Sequence, residues 1–565
     1  MPQSAAPEIL CDVLVIGSGA GGLSTAVTAR AQGLDVVVVE KEPHFGGTTA
    51  FSGGVLWIPG SQHADSSDSR ERALRYIKGQ VGVHFDESAV ETFLSVGPEM
   101  LRFFQDKTQV KFVATAYPDY HPQAEGGIDI GRSVLAAPFN AKVLGKELKR
   151  LRPPLKTITF LGMMFNSSNA DIKHFFNATK SLKSFIYVSK RLASHFVELA
   201  THGRGVMVTS GNALVARLAR TAFDMGIPIH TSAPAVEMIR QDGRVAGAVV
   251  EMNGTRRRIL ARRGVVLAAG GFAQDLKRRA NLYPHLKRGG KHFSPVPAGN
   301  AGDGLKLAEQ AGAVFRPRFP NAAAWMPVSL VPDSGGHTPF PHLLDRYKPG
   351  IIAVCDDGRR FTNESHSYHD VGAAMIEATR NQRDAAVWLI CDHRALRKYG
   401  LGFVKPAPLP IGSHIRSGYL VRAESIIDLA QQTGVNAGQL TATLRDYNRT
   451  AVRGEDPQFG RGSTTFNRFL GDSEHKPNPN VAPLDKSPYY AVRLFMGDLG
   501  TFDGIDTTVE GKVLDGDGKP ILGLYAVGND RSNIFGGTYP GAGITLGPIM
   551  TFGYVTGKAL ARDHN

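Results

Sequence analysis

Residues 12–16, DVLVI, form an apolar, β-branched run of the kind that makes a strand buried on both faces. After a glycine turn, LSTAVTARAQG at residues 23–33 predicts a helix ending at Gly33, and DVVVVE follows as a second strand that stops at Glu40. Together these make a βαβ unit. Between residues 235 and 275, apolar runs are broken by Asp242-Gly243 and Asn253-Gly254, which predicts two hairpins, and GVVLAAGG then re-enters the first sheet as a strand. GNAGDGLKLAEQAGA, with Asp303 between two glycines, turns the chain into a helix. Near the C-terminus, DGKPILGLYAVGND predicts a strand ending in Gly528, Asn529 and Asp530, and ITLGPIMTFGYVTGKALARD predicts a last helix.

Residues from about 140 to 200 depart from this pattern. Phe175, Phe176, Leu182, Phe185 and Ile186 recur near helical spacing, with Lys173, Lys180, Lys183 and Lys190 between them. Two readings stand open: a basic amphipathic segment lying on an anionic membrane, or a surface helix packed on the core or on another subunit.

A chain of 565 residues is too long for one core, so two or three domains are expected. The formal charge of +14 favours anionic partners. Nucleic acid is not among them, because helix-turn-helix, zinc-finger and aromatic-basic RNA patterns are absent from the sequence. Cys11, Cys355 and Cys391 lie far apart without CxxC spacing, which predicts three buried thiols, no disulfide framework and no metal site. The N-terminus lacks a basic leader, and no apolar stretch reaches the ~18 residues of a bilayer span. These features predict a cytoplasmic protein, peripheral on the membrane if the 140–200 segment touches lipid.

The first turn carries the most specific chemistry. Gly17, Gly19 and Gly22 have G-x-G-x-x-G spacing, and Glu40 stands 18 positions after the third. Gly17 makes the tight turn, Gly19 lets the backbone approach a pyrophosphate at the helix N-terminus, and Gly22 lets helix and strand pack closely. The Glu40 carboxylate suits ribose hydroxyls. EKEPHFGGTTAFSGG then places Gly46-Gly47 and Gly53-Gly54 around Thr48, Thr49 and Ser52, a second row of amides and hydroxyls for a cofactor longer than NAD. The expected cofactor is FAD. Its candidate residues are Gly17, Gly19, Ala20, Gly21, Gly22, Glu40, Lys41, Gly47, Thr48, Thr49, Ser52, Gly53, Gly54, Ala269, Gly270, Asp303, Asn529, Asp530 and Ile544.

The glycine motif, EKEPHFGGTTAFSGG, LAAGGF and GLYAVGN occur in this order and resemble the FAD-binding half of the fumarate reductase and ketosteroid dehydrogenase flavoproteins. The resemblance covers nearly the whole chain. It implies an α/β, Rossmann-like, discontinuous FAD domain (1–310 and 491–565) with an α+β substrate domain inserted at 311–490. EHKPNPNVAPL marks the crossing back, and AAAWMPV around Trp325 and RYKPGIIAV supply apolar pocket walls.

Within that family, dicarboxylate enzymes carry a His-Gly pair and an Asn-Arg in the C-terminal loop. The corresponding FGGTYPGAG has neither His nor Arg, so the expected substrate is mostly apolar. This loop, DGRRFTNESHSYHD and YPDYHPQAEGG resemble the 3-ketosteroid Δ1-dehydrogenases. By that resemblance, Tyr539 and the Gly543 amide hold the C3 ketone, Tyr368 removes a C2 proton, and Tyr120 supports Tyr368, with Tyr117 as the alternative to Tyr120. A hydride from C1 then passes to the flavin, and an external acceptor of the quinone class reoxidises it. Glycine at 543 would keep bulk away from the ketone. Tyrosine titrates near pH ~10, so the site must favour its phenolate, with a basic overall field among the expected aids. The rival readings are a Δ4-(5α)-dehydrogenase, a fumarate reductase-like enzyme and a non-catalytic steroid-binding flavoprotein.

Overall fold

The structure is a computed structural model that describes residues 8–65, 67–164, 174–175 and 181–562. Of the basic segment, Lys173, Phe176 and Lys180 lie outside the described residues.

An eight-stranded sheet carries the nucleotide motifs. Its first strand, Ile9–Ile16, pairs in parallel with Val36–Val39 on one side and with Thr255–Leu267 on the other. Val13, Leu14 and Val15 are fully buried, which explains why this run carries no alternating polar face. Thr255–Leu267 continues in parallel to Pro520–Ala526, so the late strand lies in the same sheet as the first. The two hairpins form as read. Strands Ala235–Gln241, Arg244–Met252 and Thr255–Leu267 are joined by two-residue turns, with positive φ at Asp242 and Gly243 and at Asn253 and Gly254. Helix Ala20–Ala31 packs on the C-terminal helix Leu546–Arg562. Gly553 and Gly557 make that approach possible: a Cβ there would meet Ser24 Oγ at 2.1 Å and Thr28 Cβ at 2.7 Å.

A second, six-stranded sheet runs from Ala323–Asp333 to Tyr489–Thr501. The strand Tyr489–Thr501 pairs along Ala386–Asp392 and Ala323–Asp333, so the chain crosses back to the first sheet after Thr501, beyond EHKPNPNVAPL. Trp325, expected as a pocket wall, is instead fully buried in the core, its indole N–H donating to Asn321 Oδ1 at 2.8 Å. All three cysteines are free and buried. Among the described residues no helix is long and apolar enough to cross a membrane, and no cluster of His, Cys, Asp and Glu could hold a metal ion.

Candidate functional site

Two adjoining cavities open between the elements named above. The first runs along the glycine turn and is lined by Gly17, Gly19, Ala20, Gly21, Glu40, Lys41, Gly47, Thr48, Thr49, Ser52, Ala269, Gly270, Asp303 and Asn529. Gly53 and Gly54 line the second cavity, which shares Thr48 and Ser52 with the first. Gly22, Asp530 and Ile544 line neither. A Cβ at Gly22 would meet the Gly17 carbonyl oxygen at 2.0 Å, so Gly22 serves close packing of helix on strand. The Asp530 carboxylate is fully buried and accepts from the Ala269 and Gly271 amides at 2.5 and 2.8 Å, which shapes the wall from behind. Ile544 is buried, and its neighbours Thr545 and Leu546 face both cavities.

Other residues of the cleft carry no motif. Ser18 Oγ donates to Glu40 Oε2 at 2.5 Å and fixes that carboxylate. Asn300 Nδ2 donates to Thr48 Oγ1 at 2.7 Å. Arg152 comes from the 140–200 segment. It is 8% exposed and lines the cleft; its Nε and Nη2 make no hydrogen bond, and its ion pair is a long one, Nη2 to Glu42 Oε2 at 3.8 Å. A buried guanidinium with unfilled hydrogen-bond donors suits an anion. A helix N-terminus, glycine-exposed amides and this cation together fit the pyrophosphate of a dinucleotide.

The second cavity, about 270 Å³, is walled by Phe51, Val55, Leu155, Ile158, Val296, Leu343, Leu344 and Leu470 and carries five tyrosines, Tyr117, Tyr120, Tyr347, Tyr368 and Tyr539. Among the described residues none of its lining side chains is charged. Ring centroids lie 5.0 Å apart for Tyr368 and Tyr539, 5.7 Å for Tyr120 and Tyr539, and 6.1 Å for Tyr120 and Tyr368. The Tyr368 hydroxyl is within interaction range of those of Tyr120 and Tyr539. Tyr117 packs instead on Phe469 at 4.7 Å, with no ring contact to Tyr368 among the described residues.

Local structure explains this convergence. Tyr368 is the first residue of helix Tyr368–Ala378, whose N-cap Ser367 accepts from the Asp370 amide. The Tyr120 amide donates to the Pro540 carbonyl at 2.9 Å, and the Tyr76 hydroxyl donates to the same oxygen at 2.7 Å. The first bond joins the Tyr120 loop to the Tyr539 loop, and the second ties the Tyr539 loop to helix Arg70–Val81. Gly543 has φ +97, and a Cβ there would lie 2.6 Å from both Trp57 N and Val55 O. The need for glycine is thus set by backbone packing as well as by the cavity it lines. The Gly543 amide donates to no protein acceptor among the described residues.

Burial pushes the Tyr120 and Tyr368 hydroxyls well above the ordinary tyrosine range, and raises Tyr539. The groups acting on Tyr368 besides burial are the two neighbouring tyrosines, which raise it further, and no basic side chain is among them. The expected help from a basic field is therefore not local.

Comparison with known proteins agrees with this architecture. A family model described as an FAD binding domain matches residues 12–546. The chain is 41% identical to a 4-oxocyclohex-2-ene-1-carboxylate 5-dehydrogenase of Sinomonas cyclohexanicum, over 98% of this chain and 94% of that one. It is 35% identical to a 3-oxosteroid 1-dehydrogenase of Mycolicibacterium smegmatis, over 97% of both chains. The crystal structure of a 3-ketosteroid Δ1-dehydrogenase from Sterolibacterium denitrificans, in complex with 1,4-androstadiene-3,17-dione, superposes with a TM-score of 0.89 at 32% identity, covering 98% of this chain and 100% of that one. A fold shared from end to end, with a cleft built for a dinucleotide, places this chain in the FAD binding domain family, as an FAD flavoprotein dehydrogenase of the ketosteroid dehydrogenase type.

Proposed function

We propose that the protein is an FAD-dependent 3-ketosteroid Δ1-dehydrogenase. The observation that carries this reading is the second cavity: apolar walls without a charge, lined also by the clustered Tyr120, Tyr368 and Tyr539 and by Gly543, whose amide donates to no protein acceptor among the described residues. A neutral fused-ring ketone would fill it. Its C3 oxygen would accept from the Tyr539 hydroxyl and the Gly543 amide, which stabilises the enolate that develops as C2 loses a proton to Tyr368. Tyr120 holds the Tyr368 hydroxyl and shares its charge. Bound FAD supplies the acceptor for the C1 hydride, so that the C1–C2 double bond forms with both electrons accounted for. Gly17, Gly19, Glu40, Thr48, Thr49 and Arg152 would hold the cofactor, and an external acceptor of the quinone class would reoxidise it.

A second reading is favoured by the 41% identity to the 4-oxocyclohexene carboxylate enzyme: the same chemistry on a small ring acid. A carboxylate would need a cationic partner, and the cavity lining offers none among the described residues. The test is anaerobic mixing of purified holoenzyme with 4-androstene-3,17-dione and, separately, with 4-oxocyclohex-2-ene-1-carboxylate. Bleaching of the flavin by the steroid, with a Δ1 product, is expected. Bleaching by the acid alone would overturn the steroid assignment, and a Δ4 product from a 5α-steroid would place the chemistry at the other side of the ketone.

We also infer a peripheral contact with anionic lipid through helix Leu182–His202. Its Leu182, Phe185, Phe196 and Val197 are 74%, 57%, 54% and 62% exposed, beside Lys183 and Lys190, and the same segment sends Leu155 and Ile158 into the substrate cavity. Flotation with acidic liposomes at low salt tests it: absence of co-flotation removes the contact.

A further inference from the structure

His121 follows Tyr120 directly, and Asp370 stands two residues after Tyr368, in the first turn of the same helix. The two side chains meet across the gap between the elements: His121 Nε2 donates to Asp370 Oδ2 at 3.0 Å. On the other side of the ring, Nδ1 is 2.5 Å from Gln80 Oε1 on helix Arg70–Val81. With an oxygen acceptor at each nitrogen, the ring is satisfied when both carry protons, that is, as an imidazolium. Asp370 is fixed in turn, since Ser367 Oγ donates to its Oδ2 at 2.8 Å. The His121 amide donates to the Tyr76 hydroxyl at 3.2 Å, the group that also binds the Pro540 carbonyl of the Tyr539 loop. Other titratable groups facing the pair are Asp119 on the His121 loop, His366 just before the helix and His369 within its first turn. Neither His121 nor Asp370 lines the substrate cavity.

We propose that His121 and Asp370 form a positioning pair that holds the Tyr120 loop on the N-terminal turn of the Tyr368 helix, and so fixes the supporting hydroxyl against the base. This rests on the reading of Tyr368 as the base. Ion pairing across two elements has a consequence that local bonding within either would lack: each partner should be useless without the other. The pair also neutralises the Asp370 charge, which would otherwise oppose a phenolate two residues away.

The experiment uses the flavin-loaded full chain with His121→Ala, Asp370→Asn and the double variant, assayed for flavin content, substrate KM and kcat. Displacing one reacting group by about an ångström costs on the order of 10²-fold. Each single variant should therefore lose kcat by up to that factor, with KM and flavin content unchanged, and the double variant should lose no more than the worse single one. Side-chain exposure of His121 is 28%, so added imidazole can reach the vacated site. It should restore part of the kcat of H121A and none of that of D370N. Unchanged kcat in both singles, fully additive losses, or a loss appearing in KM alone would overturn the proposal. Should H121A fail to keep flavin, the near-isosteric D370N decides by its kcat and KM. A silent H121A beside an inactive Tyr539→Phe sinks the pair and leaves the function standing; an active Y539F sinks the function itself.

Discussion

Replacing Tyr539 with phenylalanine isolates the oxygen on which the proposed function turns. The ring is held independently of its hydroxyl. It stacks on Tyr120 at 5.7 Å, meets Tyr368 edge-on at 5.0 Å, and touches Phe502 at 6.2 Å, all at 5% exposure. A phenyl ring should keep this place, and the stability cost is that of one hydroxyl interaction, about 1 kcal/mol. Catalysis should suffer far more. Loss of one donor to a developing oxyanion costs ~3–4 kcal/mol, or ~10²–10³ in rate, because the remaining Gly543 amide cannot replace a second bond. An interaction that strengthens only as the enolate forms lowers kcat and kcat/KM together. The assay is a single anaerobic turnover, followed by flavin bleaching at saturating steroid, with thermal unfolding of the same sample. A variant that keeps its flavin and melts normally, yet reduces it at the wild-type rate, would refute the role of the phenol and the carbonyl-activation argument with it.

Further outcomes follow from the same geometry. Arg152→Met should weaken retention of FAD, measured by titrating the apoprotein at rising salt, since Nε and Nη2 make no hydrogen bond within the protein; unchanged affinity would show that it faces no phosphate. Gly543→Ala forces a side chain at φ +97 into the Val55 and Trp57 backbone, so it should cost ~1–3 kcal/mol of stability as well as activity; a variant with normal melting and normal turnover would contradict the packing. Tyr368 holds its proton well above the ordinary tyrosine value, so the active phenolate is a minority at neutrality. Its share grows about tenfold per pH unit, and kcat should climb from neutrality to about pH 9.5; a flat or falling profile would remove Tyr368 as the base.

Much of this was readable along the chain because it is local. The βαβ unit follows from β-branched runs around a glycine turn, and the Asp242-Gly243 and Asn253-Gly254 turns follow from residues that tolerate positive φ. Other features needed contacts between distant segments. Arg152 lies in a stretch whose composition suggests a surface, yet its side chain enters the dinucleotide cleft. Trp325 sits in an apolar run that reads equally as wall or core, and only the pairing of its strand with Tyr489–Thr501 decides for core. The last crossing was drawn at a proline-rich stretch, whereas sheet pairing carries one further strand into the second sheet. Gly543 looked like clearance for a ligand because the backbone pressing on it, Val55–Trp57, is nearly five hundred residues earlier in the chain.

The proposed base, Tyr368, has no basic side chain among the groups that act on it. The chain carries 65 basic against 51 acidic residues, but a surface field reaches only ~10 Å at 0.1 M ionic strength, against ~30 Å at 0.01 M and ~3 Å at 1 M. The groups that act on Tyr368 besides burial are two tyrosines. Burial disfavours the phenolate, so the active anion is a minority species at neutrality. In the proposed mechanism it takes the proton while the carbonyl is gripped at its other end, in a cluster where Tyr120 and Tyr539 are buried. The alkaline limb of the rate profile should then keep its position when salt is raised from low to high concentration. A limb that moves toward higher pH as salt is added would mean that the net positive charge of the surface, and not the tyrosine cluster, lowers the cost of ionising Tyr368.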